Sequence, residues 1–166
     1  MKKTLLLPLL IIFFPNNLLS DDAVSEDVEI EVVEGRVLLT GSVKKAKYRM
    51  DAIKLAWKVL GVREVINEIE VTNKGGIIRY LNDVKIKTQI RYKIIADKKI
   101  RSINYNFESV NGTLYIIGIA QNKKELKRVV KHSNDIKGVI KVVSHVMMKD
   151  DPRRKKYQRK LQKKED

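Results

Sequence analysis

From residue 28 onward the chain alternates between two hydrophobic periods, and it runs through the alternation twice. Val28, Ile30 and Val32 alternate with Glu29 and Glu31, the two-residue period of a strand with one apolar face and one face in water. A Glu34-Gly35 turn followed by residues 36–43 predicts a hairpin. From about Lys45 to Leu60 the period lengthens. Ala52, Ile53, Ala56, Val59 and Leu60 make the apolar stripe of a helix, with Gly61 expected as its C-cap. Residues 62–71, carrying Val65, Ile66 and Ile69, return to a strand. Residues 103–110, 113–120, 122–136 and 139–147 repeat the order strand, strand, helix, strand. A helix capped by Asn82 or Asp83 and reaching about Ala96 precedes the second set, with Ile86, Ile90 and Ile94 repeating every four residues.

The two sets are copies. A shift of 77 without a gap carries Gly35 to Gly112, Gly41 to Gly118 and Gly61 to Gly138, so that six of the eight glycines fall in matched triplets. The predicted fold class is α+β: two tandem units, each a small three-stranded sheet with helices on one face. The expected organisation is a leader at 1–20, a first unit at 21–72, a linker at 73–81, a second unit at 82–148 and a basic tail at 149–166. Gly75-Gly76 is the loosest point of the linker. Moved back by 77, the leading helix of the second unit lands within the leader, so the processed first unit lacks a leading helix of its own.

The leader changes the reading of compartment. Lys2 and Lys3, the apolar run Thr4 to Phe14, and Ser20 before Asp21-Asp22 have the order of regions of an export signal cleaved after Ser20. The run is too short for the roughly 20 residues of a membrane span, although a retained anchor is the alternative. Loss of residues 1–20 removes two lysines and no acid, lowering the formal charge from +15 to +13. Such a balance suits an anionic membrane, an acidic polymer or nucleic acid. The cysteine count is zero, which excludes a disulfide framework, a thiolate nucleophile and a lipid-modified cysteine.

The order of elements and the markers Val33-x-Gly35 with Gly41 and Gly61-Val62, then Val110-x-Gly112 with Gly118 and Gly138-Val139, resemble the BON domain. Two such units behind a leader are similar to the dual-BON proteins of the bacterial envelope. The resemblance implies a non-enzymatic periplasmic module that contacts phospholipid or an envelope protein and supports the outer membrane. It also implies a departure. Many dual-BON proteins are lipoproteins, and a chain without cysteine is not one.

Catalytic constellations are scarce, and no cofactor or metal is expected. His132 and His145 have no ligand or triad partner at telling spacing and read as structural or surface residues. The helix 83–96 carries the candidate binding site. With its isoleucines inward, Val84, Thr88, Tyr92 and Ile95 lie on the far side, flanked by Lys85 and Arg91. That outward strip suits a bilayer surface, the open sheet of the first unit, or an incidental exposed patch with no partner. Trp57, matched by Asn134, either widens the local core or makes a contact outside its own unit. In the tail, Arg153, Arg154, Lys155, Lys156, Arg159 and Lys160 would add attraction to headgroups, bind nucleic acid by counterion release or simply solubilise. Export, the lack of an aromatic stacking ladder and the lack of a GXXG clamp weigh against nucleic acid. A scaffold for an envelope protein or cell-wall polymer is the third reading.

Overall fold

Each copy folds around a two-residue turn whose first residue is not glycine. Glu34 and Asn111 have φ of 49° and 51°, and Gly35 and Gly112 follow at 74° and 79°, the doubly left-handed turn that matches strand twist in a hairpin. The computed structural model describes residues 27–72, 77–156 and 158. The leader, Gly75-Gly76, Arg159 and Lys160 lie outside the described residues.

In the first unit β1 (Asp27–Val33), β2 (Arg36–Val43), α1 (Ala46–Lys58) and β3 (Glu64–Val71) follow in order. In the second, α2 (Ile77–Ala96) and a 3-10 turn at Ser102–Asn104 precede β4 (Tyr105–Val110), β5 (Thr113–Ala120), α3 (Lys123–Asn134) and β6 (Lys141–Met148). Each sheet has the hairpin partner at one edge and a parallel strand at the other, reached by a helical crossover. The predicted class and the equivalence of the two hairpins are therefore observed.

Three boundaries differ from expectation. Helix α2 begins at Ile77, so residues 77–81 are helix rather than linker. The first long helix ends at Lys58 because Val59 is already extended (φ −75°, ψ 129°), which leaves Gly61 beyond the cap. Asp83 does not cap its own helix. Its carboxylate accepts from Ser109 Oγ at 2.6 Å, Asn111 N at 2.8 Å and Gly112 N at 2.9 Å, clamping the second hairpin turn.

Strand alternation sorts the apolar residues into three cores. Val37, Leu39, Val43 and Ile69 pack under α1. Phe107, Leu114 and Ile116 pack under α2 and α3 with Ile86, Ile90, Ile94 and Val129. The intervening residues Leu38, Val110, Tyr115 and Ile117 form a third core with Val33, Ile66 and Val143, which joins the two sheets face to face. The layers thus run helix, sheet, sheet, helix. The glutamate face of β1, expected in water, is divided: Glu29 stays exposed, while Glu31 meets the second sheet, where Asn106 Nδ2 donates to it at 2.7 Å. Arg36 is buried at the same interface, donating to Glu64 and to the His145 carbonyl, both at 2.7 Å.

The units differ in what covers them. Phe107 on β4 is only 2% exposed beneath α2, whereas its counterpart Ile30 on β1 is 37% exposed, and among the described residues no helix covers it. The turns are held differently too. Where Asp83 clamps the second turn, Arg154 from the tail donates to Glu34 at 2.8 Å in the first.

Replacing Asp83 by Ala should cost about 2–3 kcal/mol, since three donors, two of them backbone amides, lose a charged acceptor at once. Urea denaturation would measure it, and a parent-like midpoint would show that the clamp does not hold the turn.

Candidate functional site

Because the sheets use their inner faces on each other, the surfaces left for a partner are the helical layers, the loops and the sheet edges. On α2, Ile86, Ile90 and Ile94 are buried, and the opposite stripe faces outward. Tyr92 is 74% and Ile95 71% exposed, with Val84, Leu81, Ile78 and Tyr80 also in the open. This excludes one of the three expected readings: α2 does not lay its second strip on the first sheet. Thr88 sits in the same exposed stripe, and its hydroxyl donates to the Val84 carbonyl at 2.9 Å, so the polar atom is satisfied within the helix.

The basic residues of α2 divide by partner. Lys87 is turned inward, its ammonium 2.5 and 3.0 Å from the Glu108 carboxylate oxygens. Arg91 stays partly exposed 4.0 Å from Glu31. Lys85 is exposed on the outward side.

Helix α3 lies beside α2 and completes the layer. Asn122 caps it, accepting from Glu125 N at 3.0 Å. Buried Glu125 in turn accepts from Tyr105 OH at 2.9 Å, fixing the helix on its sheet. Burial first, then the Glu125 carboxylate, holds the Tyr105 hydroxyl far above the usual phenol range. At the far end Asp97, just past α2, meets His132 at 2.9 Å and Arg128 at 3.5 Å. These contacts, the His132 hydrogen bond foremost, hold the Asp97 carboxyl below the usual carboxylate range. The outward side of α3 consists of Lys123, Lys124, Lys127 and Lys131, all exposed, while its one acid is the buried Glu125. Sequence reading missed these four. Their spacing was the signal, since residues 123, 127 and 131 stack on one helix face.

Among the described tail residues, Arg154 is a base taken up by the fold. Arg153 pairs with Asp151 at 2.9 Å, and Arg154, bound to Glu34 and to the Lys149 carbonyl, is largely covered. Lys155 is engaged within the molecule, and Lys156 is exposed. The glycines Gly35, Gly41, Gly61, Gly112 and Gly138 have positive φ and serve the backbone. Gly118 serves packing, since a Cβ there would collide with the Asn104 carbonyl. Trp57 is exposed. His145 meets Glu68 across the inter-sheet face at 2.8 Å.

What this arrangement offers is an apolar helical ridge beside a lysine face. Its lineage is now decidable. The BON domain model matches residues 16–73 and 82–150, two copies over most of the sequence. The chain belongs to the BON-domain family. In the 77-residue register the second match begins at the counterpart of residue 5, eleven positions earlier than the first match does. An uncharacterized protein in the gshII 5' region of Anaplasma centrale is 38% identical over 81% of this chain and 89% of its own. Outer membrane lipoprotein DolP of Haemophilus influenzae is 28% identical over 76% and 70%. Osmotically-inducible protein Y of Escherichia coli is 24% identical over 78% and 65%.

Between the BON units, Glu108 is the most displaced carboxyl. Burial, with Glu29 and Glu31 adding and Lys87 opposing, pushes it up to about 7, and burial also raises Glu31. A carboxyl raised on folding contributes stability in full below its unfolded value near 4.5 and loses it as pH climbs through about 7. The loss is on the order of 3 kcal/mol. Chemical denaturation from pH 4.5 to 8 should therefore show a flatter decline for Glu108→Gln than for the parent. An identical slope would mean that Glu108 is already ionised against Lys87 across that range.

Proposed function

We propose that this BON protein is a non-catalytic, exported envelope module that holds to anionic phospholipid through the outer layer of its second unit. The observation that carries the reading is the exposure of Val84, Tyr92 and Ile95 on a helix whose neighbour presents four lysines. An apolar ridge enters the headgroup region while lysine stems lie along it and their charges meet phosphates. Among the described residues no helix is long and apolar enough to cross a membrane, so α2 would lie in the interface plane. Relatives named as an outer membrane lipoprotein and as osmotically inducible support an envelope setting and a part in outer-membrane maintenance under stress. A chain without cysteine has no thiol for lipid modification, which gives an exposed apolar and basic surface more to do in the attachment.

The site then comprises Val84, Lys85, Thr88, Arg91, Tyr92 and Ile95, with Lys123, Lys124, Lys127 and Lys131 as its electrostatic half. Arg154 drops out as a headgroup ligand because it supports the first hairpin.

Co-sedimentation with liposomes of graded anionic content is the test. Binding should require anionic lipid and weaken with salt. Tyr92→Asp with Ile95→Asp should abolish it at any salt, because a carboxylate neither enters the apolar layer cheaply nor tolerates phosphates. Replacing Lys124, Lys127 and Lys131 by Gln should weaken it roughly a hundredfold, at about 1 kcal/mol per lysine near the surface. All five positions are exposed, so melting temperatures should stay at the parent value. Normal binding by the Tyr92/Ile95 variant would contradict the assignment.

A further inference from the structure

The first unit has an outward helical face as well, and it points the other way. Helix α1 packs on the outer side of the first sheet, and α2 with α3 packs on the outer side of the second, with the inter-sheet core between them. The two helical layers therefore look in opposite directions, their axes about 30 Å apart if each layer adds about 10 Å.

Comparison of equivalent positions shows that this face is not what folding requires. Trp57, Met50 and Leu60 of the first unit correspond to Asn134, Lys127 and Lys137 of the second, and all six are exposed. The same scaffold thus accepts polar residues at each position. Even so, the first unit leaves its only tryptophan 53% exposed and Leu60 fully exposed. Lys47, Lys54 and Lys58 lie within about 40° of one another on the outward side of α1, at 100° per residue, with Met50 and Trp57 alongside. Asp51 is the single acid on the helix, 3.9 Å from Lys54. An indole and aliphatic groups beside three ammonium groups is the chemistry of a helix at a bilayer interface, where tryptophan settles at headgroup level and lysines reach phosphates.

We infer that the α1 face is a second contact for an anionic bilayer, and that one molecule can hold two such surfaces at opposite sides. The bridging half of this inference rests on the α2 reading proposed above; the α1 contact does not. A single flat membrane cannot meet both layers at once, so the two contacts join separate bilayers or separate vesicles.

The sole tryptophan makes the native protein its own probe. Mixed with phosphatidylglycerol/phosphatidylethanolamine vesicles, Trp57 emission should move to shorter wavelength, and dynamic light scattering should show vesicle clusters at low protein-to-lipid ratio. Lys54→Glu with Leu60→Asp should abolish the shift and the clustering while leaving co-sedimentation through α2. Tyr92→Asp with Ile95→Asp should abolish clustering and keep the shift. Co-sedimentation of the parent without a shift or clusters would overturn the α1 contact and leave the α2 reading standing. Persistent clustering by the Tyr92/Ile95 variant would overturn bridging by opposite faces. A shift produced by duplex DNA and not by vesicles would overturn the lipid assignment of α1.

Discussion

A three-stranded sheet with helices on one side has a second face that water should not meet, and in this protein each copy covers the other's. The contact is built from residues that the fold of a single unit does not need, Leu38 and Tyr115 among them. Repetition makes such a contact demanding. Glu68 and His145 occupy the same position in the two copies, 77 residues apart, and they touch at 2.8 Å. Two unaltered copies would set like residues against one another there, so the interface depends on divergence: an imidazole meets a carboxylate, and Leu38 shares a core with its own counterpart Tyr115. Arg36, buried between Glu64 and the His145 carbonyl, is retained on one side only, its counterpart being Thr113.

That contact decides where function can reside. With both inner faces occupied, a partner meets only helices, loops and edges. The duplicated units are also unequal: the second is closed by α2, while the first leaves Ile30 and Val32 open on the equivalent side. The tail takes one structural part in the first unit that α2 takes in the second, since Arg154 steadies the first turn as Asp83 steadies the second. Within the BON family, then, this chain uses a C-terminal segment for a structural task that a leading helix performs in its own second unit.

Much of the fold was legible in the sequence because its determinants are local. Two-residue and four-residue periods marked the strands and helices, and Glu-Gly and Asn-Gly marked turns that demand positive φ. The start of α2 was not legible, because Ile78, Tyr80 and Leu81 face outward and show no inward period. Asp83 looked like a cap because capping and hairpin clamping use the same carboxylate chemistry. Alternating glutamates read as a wetted face, since periodicity cannot tell water from a polar second sheet. On the candidate site, the outward strip of α2 followed from the helical wheel, but its neighbour did not. The lysines of α3 were hidden in a basic average, and the engagement of Arg154 depends on Glu34, 120 residues away.

Hydrogen–deuterium exchange of the protein with and without anionic vesicles tests most directly whether the sheets stay joined while the helices do the binding. Slowed exchange in the peptides of α2, with unchanged protection in β3 and β6 whose side chains meet between the sheets, is the expected result. Accelerated exchange in β3 and β6 on adding lipid, with none slowed in α2, would mean that the units part and present their inner faces, and would contradict it.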